Sequence, residues 1–144
     1  MIRKTLFASA VTAIVALGSL PAFANSVTIT QFGWANGAGG AQMGFGNAIG
    51  VYQNGAFNGA TASQWGVNNT SAIGQNGFNN HGATSQIGVG NAAGIGQFGA
   101  NHTAGISQVG AGNIAAGVQV GSGCHASVAQ AGVGNVSAFV QTCP

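Results

Sequence analysis

Glutamine returns at every eleventh position without an insertion or a slip: Gln31, Gln42, Gln53, Gln64, Gln75, Gln86, Gln97, Gln108, Gln119, Gln130 and Gln141. Two residues after each of the first ten comes a glycine, at Gly33, Gly44, Gly55, Gly66, Gly77, Gly88, Gly99, Gly110, Gly121 and Gly132. Five residues after eight of those ten comes an asparagine, at Asn36, Asn47, Asn58, Asn69, Asn80, Asn91, Asn113 and Asn135, while His102 and Cys124 fill the other two places. A strict short period of this kind denotes a solenoid or array, in which each unit buries its face only against its neighbours. The abundance of Gly, Ala, Asn and Gln alone would also suit a disordered, prion-like tract. The unbroken period decides against that reading.

Alternate residues of a strand share one face. Asn91, Ala93, Ile95 and Gln97 therefore point one way, as do Asn47, Ile49, Val51 and Gln53, and Asn69, Ser71, Ile73 and Gln75. We assign that face to the interior. The four residues between each Gln and the next Asn position, such as Phe98-Gly99-Ala100-Asn101, carry the glycine that a tight turn uses. Each unit is expected to be one strand and one turn. After Gln42, Gln86, Gln108 and Gln130 the turn reads Gly-x-Gly-Asn, whereas Ala35, Phe57, Asn79 and Asn101 replace the second glycine in most of the alternate turns. Two alternating turns imply a rung of 22 residues.

The expected fold is all-β: an amyloid-like, cross-β solenoid of strand-turn-strand rungs, about five and a half of them over residues 25–141, with a tail at 142–144. Rungs stacked in register at about 4.8 Å place Gln over Gln and Asn over Asn. An inward amide is then paired with its equivalents above and below, where an unpaired one would be costly. These two amide columns are the expected assembly ladder.

The first residues read as a separate segment. Arg3 and Lys4 precede an apolar run from Leu6 to Leu20, then Pro21 and the small-residue site Ala22-Phe23-Ala24. That order is a secretory signal peptide over residues 1–24, with cleavage after Ala24. The run is shorter than the roughly 20 apolar residues of a membrane span. Arg3 and Lys4 are the only Lys or Arg, and there is no Asp or Glu. The processed chain thus lacks all four charged types, which removes the phosphate-binding term of nucleic-acid recognition. It also removes the repulsion that keeps proteins apart.

The segments Gln86-IGVGNAAGIG-Gln97 and Gln108-VGAGNIAAGV-Gln119 carry the pattern Q-x-G-x-G-N-x-A-x-x-x-Q at every fixed position. Those beginning at Gln42 and Gln130 carry it with Ile49 and Ser137 in place of Ala. This pattern resembles the curlin repeat, and the resemblance spans residues 25–141. It implies an extracellular subunit of a curli-type amyloid fibre, exported through the periplasm and serving adhesion and biofilm matrix. Its implied partners are further copies of itself, a nucleator subunit and outer-membrane export machinery, with no nucleic acid, small-molecule substrate or cofactor. The minor nucleating subunit of such a fibre is an alternative reading, as is a monomeric secreted solenoid that binds a surface. Ice binding would call for an extended Thr-x-Thr array, and only Thr28-x-Thr30 occurs.

Cys124 and Cys143 are the only cysteines. An even pair in an oxidising compartment reads as a disulfide, closing the last rung, with free or intermolecular thiols as the other possibility. His102 and Cys124 stand 22 residues apart and so share the Asn column. Their spacing is not that of a zinc site, and they read as replacements within a ladder. Gly94-x-Gly96-x-x-Gly99 has the letters of a dinucleotide fingerprint without its βαβ setting. With no carboxylate or lysine, acid–base catalysis would fall to three histidines, and no catalytic or metal site is expected. Trp34, Phe45, Phe57, Trp65, Phe78 and Phe98 lie in or beside turns. There they are available for packing along the stack or for lateral contacts.

Overall fold

The computed structural model describes residues 24–144, so the expected signal peptide lies outside the described residues except for Ala24. Eleven strands follow one another: β1 (Ser26–Trp34), β2 (Gly37–Phe45), β3 (Ala48–Ala56), β4 (Gly59–Val67), β5 (Thr70–Phe78), β6 (His81–Val89), β7 (Ala92–Ala100), β8 (Thr103–Ala111), β9 (Ile114–Ser122), β10 (His125–Val133) and β11 (Val136–Cys143). Odd-numbered strands form a six-stranded sheet in the order β1-β3-β5-β7-β9-β11, and even-numbered strands a five-stranded sheet in the order β2-β4-β6-β8-β10. All neighbours are parallel, and like positions pair, as in Gln53 with Gln75 and Gln64 with Gln86. Each lap thus takes two strands, and the chain is an all-β solenoid. Below, "above" means toward the C-terminus.

The corners differ from the expected four-residue turns. The first ten strands run nine residues each, through the glycine two places after Gln and one residue beyond it. Gly77, in the middle of this column, sits inside β5 at φ +136°, still paired with Gly55 below and Gly99 above. The glycine column is a stacked kink within the strands rather than a turn. The reversal itself falls two residues later, where Ala35, Phe57, Asn68, Asn79 and Asn101 adopt φ between 54° and 58°. Gly46, Gly90, Gly112, Gly123 and Gly134 hold the same place at φ between 63° and 72°. The corners whose sequences alternate therefore turn with the same backbone.

The interior is thin and its two sheets interdigitate. Ile49, Val51, Ile73 and Ile95 of the six-stranded sheet are buried against Ala60, Ala62, Ala104 and Ile106 of the other. Space is traded between them: a Cβ on Gly82 would lie 2.8 Å from Cγ2 of Ile73, so the isoleucine fills what glycine vacates. At the top, within the six-stranded sheet, the Phe139 ring covers its neighbour Gly117. The hydroxyls of Ser71 and Thr84, both buried, bond across the interior at 2.6 Å. At one corner three large side chains left outside stack, with the rings of Trp34 and Phe57 4.7 Å apart and those of Phe57 and Phe78 5.4 Å apart. All three remain more than 40 % exposed, so ring packing along the stack and a free outer surface coexist there.

Candidate assembly ladder

The inward glutamines form two columns, one per sheet. In the six-stranded sheet each Nε2 donates to the Oε1 above: Gln31 to Gln53 (2.7 Å), Gln53 to Gln75 (2.8 Å), Gln75 to Gln97 (2.8 Å), Gln97 to Gln119 (2.9 Å) and Gln119 to Gln141 (2.9 Å). Gln42, Gln64, Gln86 and Gln108 do the same in the five-stranded sheet, where the column ends on Oε1 of Gln130. Most of these amides use a second N–H to cross the interior. Gln75, for example, donates to the carbonyl of Gly59 at 2.8 Å. The column therefore ties rung to rung and sheet to sheet with the same group. The seven glutamines from Gln53 to Gln119 are 0–1 % exposed. Gln130 is 8 % exposed, and Gln31, Gln42 and Gln141, at the ends, are more open still.

The asparagines sit at the corners, one residue before each strand, and reach in both directions. Asn80 donates from its backbone N and from Nδ2 to Oδ1 of Asn58 below, both at 3.1 Å, and from Nδ2 to the carbonyl of Gly99 above at 3.0 Å. Asn47, Asn58, Asn69, Asn91 and Asn113 repeat the upward bond to Gly66, Gly77, Gly88, Gly110 and Gly132. Asn25 and Asn36 begin this pattern at Gly44 and Gly55, and Asn135 ends it, bonded to Asn113 below. Asn25 also belongs to the column, since its Oδ1 accepts from the backbone N of Asn47. A count taken five residues after each Gln passes over it, because no Gln precedes it. No buried side-chain polar atom among the described residues lacks a partner.

His102 takes an asparagine's place while keeping the chain of bonds. Its backbone N donates to Oδ1 of Asn80, its Nδ1 accepts from the backbone N of Cys124 at 3.2 Å, and its Nε2 meets the carbonyl of Phe98 at 3.2 Å. This set fits the tautomer protonated on Nε2. His81 and His125 lie on the outer face of the five-stranded sheet. Among the described residues no three His, Cys, Asp or Glu gather as metal ligands would.

Cys124 and Cys143 form a disulfide across a separation of 19 residues. The same separation links Asn80 to Gly99 and Asn113 to Gly132. Cys124 stands in the asparagine column, and Cys143 stands over Gly121 in the glycine column. The disulfide is thus a covalent form of the corner bond, placed where the top strand has nothing above to hold it. Closing a loop of this length contributes about 3 kcal/mol. Reduction is expected to raise amide exchange sharply over β11 and to leave β5 and β7 protected, as read by hydrogen exchange. The double replacement Cys124→Asn with Cys143→Gly is expected to keep the fold, because it restores the corner bond found in the rungs beneath.

Residues 79–110 match the family model described as the curlin associated repeat. No curated protein matches the chain as a relative. The matched residues span β6, β7 and most of β8, and the register they follow continues unchanged into the strands on either side. Over those residues the chain carries a curlin associated repeat.

Proposed function

We propose that this chain is a secreted structural subunit that assembles with copies of itself into a curli-like amyloid fibre, serving adhesion and biofilm matrix. The solenoid fold and the curlin repeat fit a curli subunit generally. The observation that carries the finer reading is the state of the two ends. Among the described residues both sheets finish in bare edges, β1 and β2 at the bottom and β10 and β11 at the top. Natural proteins blunt such edges with charge, proline or a covering element. The described residues include no Lys, Arg, Asp or Glu with which to do so. Each edge strand, of eight or nine residues, gains its backbone bonds at about 1 kcal/mol net apiece when it finds a partner. The amide columns add theirs, and an incoming copy is ordered on a ready template.

The reading is tested with residues 25–144, purified from denaturant and followed by thioflavin fluorescence with and without preformed seeds. We expect a lag that seeds abolish and fibres whose diffraction shows the strand spacing of about 4.8 Å. A chain that stays monomeric for days, seeded or not, overturns it.

A further inference from the structure

The described residues form an odd number of strands, six in one sheet and five in the other. A chain continuing past β11 would turn back and lie on β10, in the five-stranded sheet. This has a consequence for the fibre, on which the inference below rests.

The two ends carry complementary unused groups. Inside the solenoid, the first N–H of each strand donates to the carbonyl of the corner residue one rung above, as Thr103 does to Cys124 and Ile114 to Asn135, both at 2.8 Å. His125 and Val136, at the top, have no such carbonyl above them among the described residues. Gln130 and Gln141 each spend one amide hydrogen on a backbone carbonyl, of Ile114 and His125, and have no amide above to take the other. At the bottom the carbonyls of Asn25 and Asn36 and the Oε1 atoms of Gln31 and Gln42 are the matching acceptors, with no rung beneath to donate to them among the described residues.

We infer that successive copies stack with a half-rung offset, the incoming β1 extending the five-stranded sheet beside β10 and the incoming β2 extending the six-stranded sheet beside β11. In this register every group just named finds a partner. His125 donates to Asn25, Val136 to Asn36, Gln130 to Gln31 and Gln141 to Gln42, all across the junction. The backbone N of the incoming Asn36 meets Oδ1 of Asn135, continuing the asparagine column. The one ladder bond given up is at the incoming Asn25, which lies over Cys124 and finds no amide oxygen there. The alternative sets β1 directly on β11, within one sheet. It leaves the edge of β10 bare, Gln130 unpaired and half a rung empty. Covering two edges instead of one selects the half-rung register.

Two adjacent copies then exchange sheets. Each broad face of the fibre alternates between six strands from one copy and five from the next. The corner carrying Trp34, Phe57 and Phe78 appears on opposite sides in turn. The structural repeat is two copies, eleven rungs, or on the order of 50 Å at the usual strand spacing.

Crosslinking distinguishes the registers. Thr30 and Ala129 point outward, and the half-rung register places the incoming Thr30 over Ala129, whereas the alternative places it over Val140. Within one chain these positions lie at opposite ends, so a short bis-maleimide can join them only between copies. Fibres of the double variants Thr30→Cys with Ala129→Cys, and Thr30→Cys with Val140→Cys, are crosslinked, dissolved and run on a denaturing gel. The pairs Thr28 with Ser127 and Thr28 with Ala138 repeat the comparison at other outward positions, should the first variants fail to assemble. We expect a ladder of covalent multimers from the Ala129 and Ser127 pairs and monomer from the others. Ladders from the Val140 or Ala138 pairs, from both sets equally, or from neither, overturn the half-rung junction while the fibres themselves stand. Absence of fibres from the unmodified chain instead overturns the proposed function beneath it.

Discussion

Gln75→Glu is expected to abolish folding and assembly at neutral pH and to restore most of both near pH 3. Gln75 is 1 % exposed, its Oε1 accepts from Gln53, and its Nε2 donates to Gln97 and to the carbonyl of Gly59. An ionised carboxylate of nearly the same shape keeps the bond from Gln53 and has no hydrogen to give. Two buried acceptors then lose their donor, at about 1–3 kcal/mol each. A charge is also buried beside the Oε1 of Gln97, for several kcal/mol more. That is comparable with the 5–15 kcal/mol that holds an ordinary domain together. The protonated carboxyl instead donates to Gln97 and accepts from Gln53, leaving only the Gly59 carbonyl short. No cation is at hand to stabilise the charge, since the described residues contain no Lys or Arg. Burial therefore raises the acid's folded-state pKa above its free value of about 4.3. The loss of stability is small below that value and grows as pH rises through and beyond it. Gln75→Leu supplies the control: it leaves the same acceptors unpaired at every pH, so its deficit should not respond to acid. Fibre yield and denaturant midpoints at pH 3 and pH 7 measure both. If Gln75→Glu assembled at pH 7 as the unmodified chain does, Gln75 would not be a buried link of a ladder.

The eleven-residue period made the register legible, because a strict recurrence of one polar residue among alternating small ones has a physical reason only when like stacks on like. The inward face follows from it, and Ile73, Ile95 and Gln97 lie where alternation places them. What the period does not carry is the relation between the two sheets. The bond from Ser71 to Thr84 and the fit of Ile73 into the space at Gly82 depend on how far one sheet is shifted against the other. The pattern along one strand contains no information about that shift. The corners were half legible. Glycine signalled a special backbone, but the kink and the reversal are separate positions. Phe57 at φ 58° shows that stacking rings can hold a bulky residue where Gly or Asn is usual. The disulfide partners were readable as the only two cysteines. Their meaning needed the 19-residue link between asparagine and glycine columns, which appears only once the corner bonds are seen.

Gly77→Ala should be among the most damaging single replacements, and Gly90→Ala, at a corner, should be far milder. Both glycines have positive φ, at +136° and +65°. A Cβ on Gly77 would lie 1.9 Å from the carbonyl oxygen of Gly99, whereas one on Gly90 would meet nothing within 4 Å. The obstructing atom is backbone, fixed by the ladder, and it also accepts the corner bond from Asn80 at 3.0 Å. Relief therefore requires β5 and β7 to part where their pairing is continuous. Strain of about 1–3 kcal/mol for the unfavourable backbone, a similar amount for the overlap and about 1 kcal/mol for the lost bond act together. Gly90→Ala meets only the left-handed cost of about 1–2 kcal/mol, which Ala35 already bears at φ 57° in the equivalent place. Gly90→Asn should cost less still, since Asn68, Asn79 and Asn101 occupy that conformation in this chain. Urea midpoints of the three variants, with seeded elongation rates beside them, give the ranking. Equal losses for Gly77→Ala and Gly90→Ala would mean that the glycine column serves only to turn the chain. A large difference means that it lets successive rungs approach closely enough to bond.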